Sequence, residues 1–106
     1  MKLNDAASGL EALGNATRLK IYRLLVRAGD PGLSVGQLQE KLKIPGSTLS
    51  HHLKTLVIVG LVKQRREATT LICQTNYPLM RELVDFLVAE CCTEACARSQ
   101  ETGKAA

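Results

Sequence analysis

The chain of 106 residues has no tryptophan and only three aromatic residues, Tyr22, Tyr77 and Phe86. Proteins that grip single-stranded nucleic acid stack bases on aromatic rings, and this inventory cannot supply such a platform. The core must be aliphatic, built from the 45% of residues that are hydrophobic, a share too high for a disordered chain. Long apolar runs are missing as well. The longest, residues 56–62, falls far short of the roughly 20 residues that cross a bilayer, so no membrane partner is expected. No secretory signal opens the sequence, which points to a cytoplasmic protein whose four cysteines are thiols rather than disulfides. No glycine-rich phosphate loop occurs, and the two histidines are adjacent, at His51 and His52. A cysteine-nucleophile enzyme needs a base or cation beside the sulfur. The clustered cysteines here have Glu90 and Glu94 as neighbours, so no enzyme is expected.

What is present is one domain's worth of chain with an uneven charge. The net charge is +4. Residues 34–76 carry six basic and two acidic side chains, whereas residues 77–106 carry three and five. A positive middle suits a polyanion, and the acidic end suits another task.

That middle has a defined pattern. Ser34 followed by Gln37 is a capping box, flanked by Leu33 and Leu38 as a hydrophobic staple. Residues 43–46, Lys-Ile-Pro-Gly, break the helix. A second helix then starts near Gly46 or Ser47, with Leu49, Leu53, Leu56 and Val57 as its buried stripe and Gly60 as its stop. Its remaining face is Ser47, Thr48, Ser50, His51 and Lys54, which is short, rich in donors and free of acids. Such a face suits a groove lined by phosphates and base edges. Residues 62–66 and 70–75 read as two strands around a turn at Glu67, Ala68 and Thr69, and Lys63, Arg65 and Arg66 make the hairpin basic. A basic hairpin beside a helix-turn-helix is a wing able to track phosphates.

The ends read as helices. Residues 3–13 place Leu3, Ala6, Ala7, Leu10 and Leu13 at helical spacing, and Asn15 caps a helix over 16–28 with Ile21, Leu24, Leu25 and Ala28 inward. After Asn76, Pro78 fits a first helical turn. Two apolar stripes follow, one of Leu79, Leu83, Phe86 and Leu87 and one of Met80, Val84, Val88 and Cys91. Two stripes exceed what one small domain covers, so a homodimer pairing the terminal helices is expected. The fold class is thus mainly α with a small β-hairpin: a winged helix-turn-helix dimerising through its N- and C-terminal helices. It spans residues 1–97, with a flexible tail over 98–106.

Within residues 91–96, Cys91, Cys92 and Cys96 form a soft-ligand cluster. Three thiolates without a fourth ligand suit trivalent arsenic or antimony, whereas zinc completes a tetrahedron. In a regular helix Cys92 and Cys96 share a face and Cys91 points elsewhere, so convergence on one ion requires the helix to unwind. Cys73, in the second wing strand, reads as structural.

The stretches LGNATRLKIYRLL, LSVGQLQEKL and STLSHHLKTLVIVGLV, with the basic wing, resemble the ArsR/SmtB family of winged-helix metalloregulatory repressors over residues 10–90. The resemblance implies a dimer that binds double-stranded operator DNA through Ser47, Thr48, Ser50, His51, Lys54, Lys63, Arg65 and Arg66 and leaves it on binding a metal or metalloid. Many relatives carry Cys-x-Cys in the first helix of the helix-turn-helix, where this chain has Val35 and Gly36. Relatives that bind zinc or nickel use Asp and His pairs on the last helix, whereas both histidines here lie in the recognition helix. Relatives that sense persulfide pair the last helix with a cysteine in the second, and residues 16–28 contain none. What remains is the terminal cluster, with As(III) or Sb(III) as inducer and no organic cofactor. Methylarsenite, cadmium, lead or thiol oxidation acting through fewer cysteines is the alternative.

Overall fold

Short polar side chains and left-handed residues decide where the elements start and stop. The computed structural model describes residues 1–95. In order they form α1 (Leu3–Leu13), α2 (Ala16–Ala28), β1 (Leu33–Ser34), α3 (Val35–Leu42), α4 (Gly46–Ile58), β2 (Val62–Glu67), β3 (Thr70–Thr75) and α5 (Tyr77–Val88). Asn15 caps α2 by accepting from the Arg18 amide at 3.1 Å. The Ser34–Gln37 capping box closes with reciprocal bonds of 2.9 and 3.0 Å, satisfying two amides that α3 would otherwise leave orphaned. At the far end of α4, Gly60 takes φ +86. The Gly60 and Leu61 amides donate back to Val57 and Leu56, a Schellman turn that redirects the chain straight into β2.

The core sits where α2, α3 and α4 meet the sheet. Ile21, Leu25, Leu38, Leu49, Leu53, Leu56, Leu61 and Val62 are all buried. Each contributes about 1.5–3 kcal/mol by leaving water. They hold α4 by its leucine stripe, so the opposite face is left outward.

Three sequence expectations need correction, and α1 adds a detail of its own. The hairpin belongs to a three-stranded antiparallel sheet, ordered β1-β3-β2, in which Leu33 pairs with Cys73 and Ser34 with Ile72. A two-residue strand is too short to show period-2 alternation. The wing is also tighter than expected. Glu67 pairs with Thr70, leaving a two-residue loop in which Ala68 takes φ +56. On α1, the inward residues are Ala6, Gly9 and Ala12, while Leu3 (70% exposed) and Leu10 face out. Small residues let α1 lie close on Leu61 and Leu83, and the leucines are spare. Finally, α5 ends at Val88 and residues 89–92 are turns, with Cys92 at φ +62. Cys91 therefore does not continue a helical stripe, and the helix has ended before either of the first two clustered cysteines. The domain boundary at 97, the tail over 98–106 and Cys96 lie outside the described residues.

On α5 itself, Leu83 is buried and Leu79, Met80 and Phe86 are partly buried, while Val84, Leu87 and Val88 are exposed. Together with Leu3 and Leu10, these form apolar surface that the subunit leaves uncovered.

Candidate nucleic-acid interface

With Leu49 and Leu53 buried, helical periodicity sends the residues between them outward. Ser47, Thr48, Ser50, His51 and Lys54 are all exposed on α4. The helix begins after Pro45, and no side chain caps it among the described residues. Its first amides are thus left for solvent or an anion. The turn before it is held by Lys43 in a left-handed conformation (φ 54).

The wing sorts its cations by strand register. Lys63 and Arg65 share one face of β2 and Arg66 lies on the other, because side chains alternate along a strand. Lys63 and Arg66 are exposed. Arg65 is committed within the protein: its guanidinium donates to Gln74 at 2.7 Å, to Glu67 at 3.0 Å and to the Pro31 carbonyl at 3.1 Å. Sequence spacing grouped these three residues. The structure gives Arg65 the work of tying the wing to the loop before β1.

Between α3, α4 and the wing lies an open cleft of about 730 Å³, where Ser34, Ser50 and Lys54 face Gln64, Thr69 and Thr70. Ser50 and Lys54 were expected on this surface. The three wing residues were not, because neutral side chains gave no charge signal. Also missed was Arg18 of α2, whose Nη1 lies 3.3 Å from Nδ1 of His52. Burial first, then the charge of Arg18, then His51, hold the His52 ring below its usual pKa.

The cysteines separate into two kinds. Cys73 is fully buried in β3 and its Sγ accepts from Gln64 at 3.4 Å. Burial pushes its thiol pKa up, with the Gln64 bond opposing, so it is a poor nucleophile and ligand. Cys91 and Cys92 are exposed, with their sulfurs 3.3 Å apart. Two adjacent exposed thiols are soft donors of the kind that thiophilic ions select. Among the described residues no group of three His, Cys, Asp or Glu side chains is placed to hold a metal, and Cys96 lies outside them. No helix among them is long and apolar enough to cross a membrane.

Comparison with known proteins places these features. A family model described as a helix-turn-helix domain matches residues 13–65. The transcriptional activator HlyU of Vibrio cholerae is 36% identical over 78 residues, covering 74% of this chain and 69% of that protein. A solved HlyU structure aligns with a TM-score of 0.68 at 34% identity, covering 87% of this chain and 99% of the other. A Halobacterium salinarum protein named as an arsenical resistance operon repressor, ArsR, is 38% identical over 73 residues, 59% of this chain and 56% of its own. The homodimeric winged helix-turn-helix DNA-binding domain Mb0332 of Mycobacterium bovis aligns with a TM-score of 0.68 at 28% identity, over 83% of this chain and 82% of that one.

Proposed function

The chain belongs to the ArsR/SmtB family of winged helix-turn-helix transcriptional regulators, and from that premise we propose that it is a homodimeric repressor released from operator DNA by trivalent arsenic or antimony. It is a DNA-binding regulator, not an enzyme. The observation that carries the DNA-binding half is the acid-free outward face of α4, with Ser47, Thr48, Ser50, His51 and Lys54 exposed beside an uncapped helix start. In this reading the face enters the major groove, the α4 amides take a phosphate, and Lys63 and Arg66 track the adjacent backbone. Arg65 fixes the wing that carries them. Leu3 and Leu10 of α1 with Val84, Leu87 and Val88 of α5 supply the apolar surface for the dimer seam, which sets two α4 helices about one DNA turn apart.

The inducer half rests on Cys91 and Cys92, whose sulfurs are exposed and adjacent just past the α5 seam, with Cys96 as the third thiolate. Bound there, the ion would hold the segment after α5 in one shape and so bias the dimer between two arrangements, of which one fits the operator. A second version needs only the Cys91–Cys92 pair. It is supported by the pair itself, the only donors of the cluster within the described residues, and would answer to methylarsenite, cadmium, lead or oxidants.

Fluorescence anisotropy of the reduced protein on its own upstream duplex, titrated with arsenite, antimonite, cadmium and zinc, tests both halves. Release by arsenite and antimonite, abolished in C91S and in C96S, is the expected result. Release that survives C96S supports the two-thiol version. Ion binding by C91S/C92S/C96S protein as tight as by the wild type would sink the cysteine assignment.

A further inference from the structure

Arg18 lies near the start of α2 and reaches two other helices. Its Nε donates to the Ala12 carbonyl in the last turn of α1 at 2.6 Å, and its Nη1 meets Nδ1 of His52 on α4 at 3.3 Å. A guanidinium has donors only, so Nδ1 is the acceptor. His52 is therefore neutral in this arrangement, with its proton on Nε2. Its neighbour His51 is exposed, the two rings standing 6.0 Å apart.

We propose that Arg18 is a positioning residue that locks α4 to α1 through neutral His52, so that operator affinity falls when His52 takes up a proton. The coupling rests on the proposed reading of α4 as the helix that enters DNA. α1 presents Leu3 and Leu10 to the proposed dimer seam, and α4 presents its polar face to the groove. One side chain touches both, so the angle between seam and reading helix depends on it. Protonation puts a hydrogen on the atom that accepts from Arg18 and sets two cations face to face. The contact then opens. The charges acting on the ring are Arg18 from α2 and His51 from its own helix. What α1 brings to the junction is the uncharged Ala12 carbonyl, held by Arg18.

The sign distinguishes this from ordinary histidine behaviour at DNA. A ring facing phosphate binds its proton more tightly, so affinity rises as pH falls. The lock gives the opposite slope. The test is anisotropy of the full chain on its own upstream duplex at fixed ionic strength, from about pH 8 to about pH 5.5. It is run on the wild type and in an H51N background, which leaves His52 as the only imidazole on α4.

Affinity is expected to fall about tenfold over that range, a typical coupling between sites. H52N, which places an amide oxygen close to where Nδ1 stood, keeps the high-pH affinity and flattens the profile. R18Q loses about tenfold at the high-pH end, again with a flat profile. Nitrogen NMR of the wild type reads the lock without DNA: His52 is the Nε2–H tautomer, and R18Q abolishes that preference. An Nδ1–H ring, a rising affinity at low pH, or R18Q binding like its parent would each overturn the lock. Wild-type protein that binds DNA at no pH would instead overturn the reading of α4, and the coupling with it.

Discussion

Replacing Arg66 by Gln isolates the electrostatic work of the wing. Arg66 is exposed on β2 and makes no side-chain hydrogen bond or ion pair among the described residues, so its loss leaves the hairpin intact. Each phosphate neutralised by a basic side chain contributes about 0.9 to the slope of log affinity against log salt, and the proposed dimer presents Arg66 twice, so R66Q lowers that slope by about 1.8. A fourfold rise in salt then weakens the variant about 12-fold less than the wild type. Anisotropy across a salt series reads this, and a scrambled duplex should give the same difference, since a phosphate contact carries no sequence information. R65Q is the contrast. Its three hydrogen bonds are partly exposed, so their loss should lower stability by about 1–2 kcal/mol with little change in slope. R66Q with the wild-type slope would refute the phosphate assignment. R65Q with a reduced slope and an unchanged melting temperature would show that Arg65, not Arg66, reaches the DNA.

Other outcomes follow from single positions. Gly32 has φ +70, and a Cβ there would collide with the Cys73 carbonyl oxygen; G32A should cost about 2–4 kcal/mol and A68G, relieving φ +56 at the wing tip, should gain about 0.5–1 kcal/mol, both read by denaturant melts. Iodoacetamide should label Cys91 and Cys92 in the native protein, and Cys73 only after unfolding, as peptide mapping would show; native labelling of Cys73 would contradict its burial. The Tyr22 hydroxyl is buried without a partner among the described residues, and its pKa is raised from 10.0 to about 12, by burial first and Tyr77 second. Above pH 10.0 the unfolded chain ionises before the folded one, so stability falls as pH rises toward about 12. Y22F should remove that alkaline loss and be neutral or stabilising at pH 7, because it deletes an unpaired polar atom; an unchanged alkaline melt would refute the assignment.

The helices were legible because caps and periodicity are local. Asn15, the Ser34–Gln37 box and Gly60 each declare a boundary within a few residues of themselves. The outward face of α4 followed from its leucine stripe for the same reason. What escaped was non-local. β1 exists because Leu33 meets Cys73, forty positions away, and no pattern in two residues announces that. Arg65 read as a contact to phosphate and Arg18 as a solvated charge until their partners at Pro31, Gln74, Ala12 and His52 were brought to them. On α1, Ala6 and Leu13 of the apolar set pack inward and Leu3 and Leu10 face out, while Gly9, which carries no hydropathy signal, makes the close contact. Close helix approach rewards the small residues and leaves Leu3 and Leu10 exposed, free for the proposed dimer seam.

The two-residue strand β1 has a mechanical consequence. It ends where α3 begins and is stitched to β3, so the wing and the helix-turn-helix share a seam with no slack. Arg65 adds a strut from the wing to the loop before it. Bending the wing away from α4 would mean shearing that seam. A reading head built this way behaves as one stiff part, gripping or releasing by where it is carried rather than by changing shape. In the proposed dimer, control is therefore best exerted at a distance, where two such heads join.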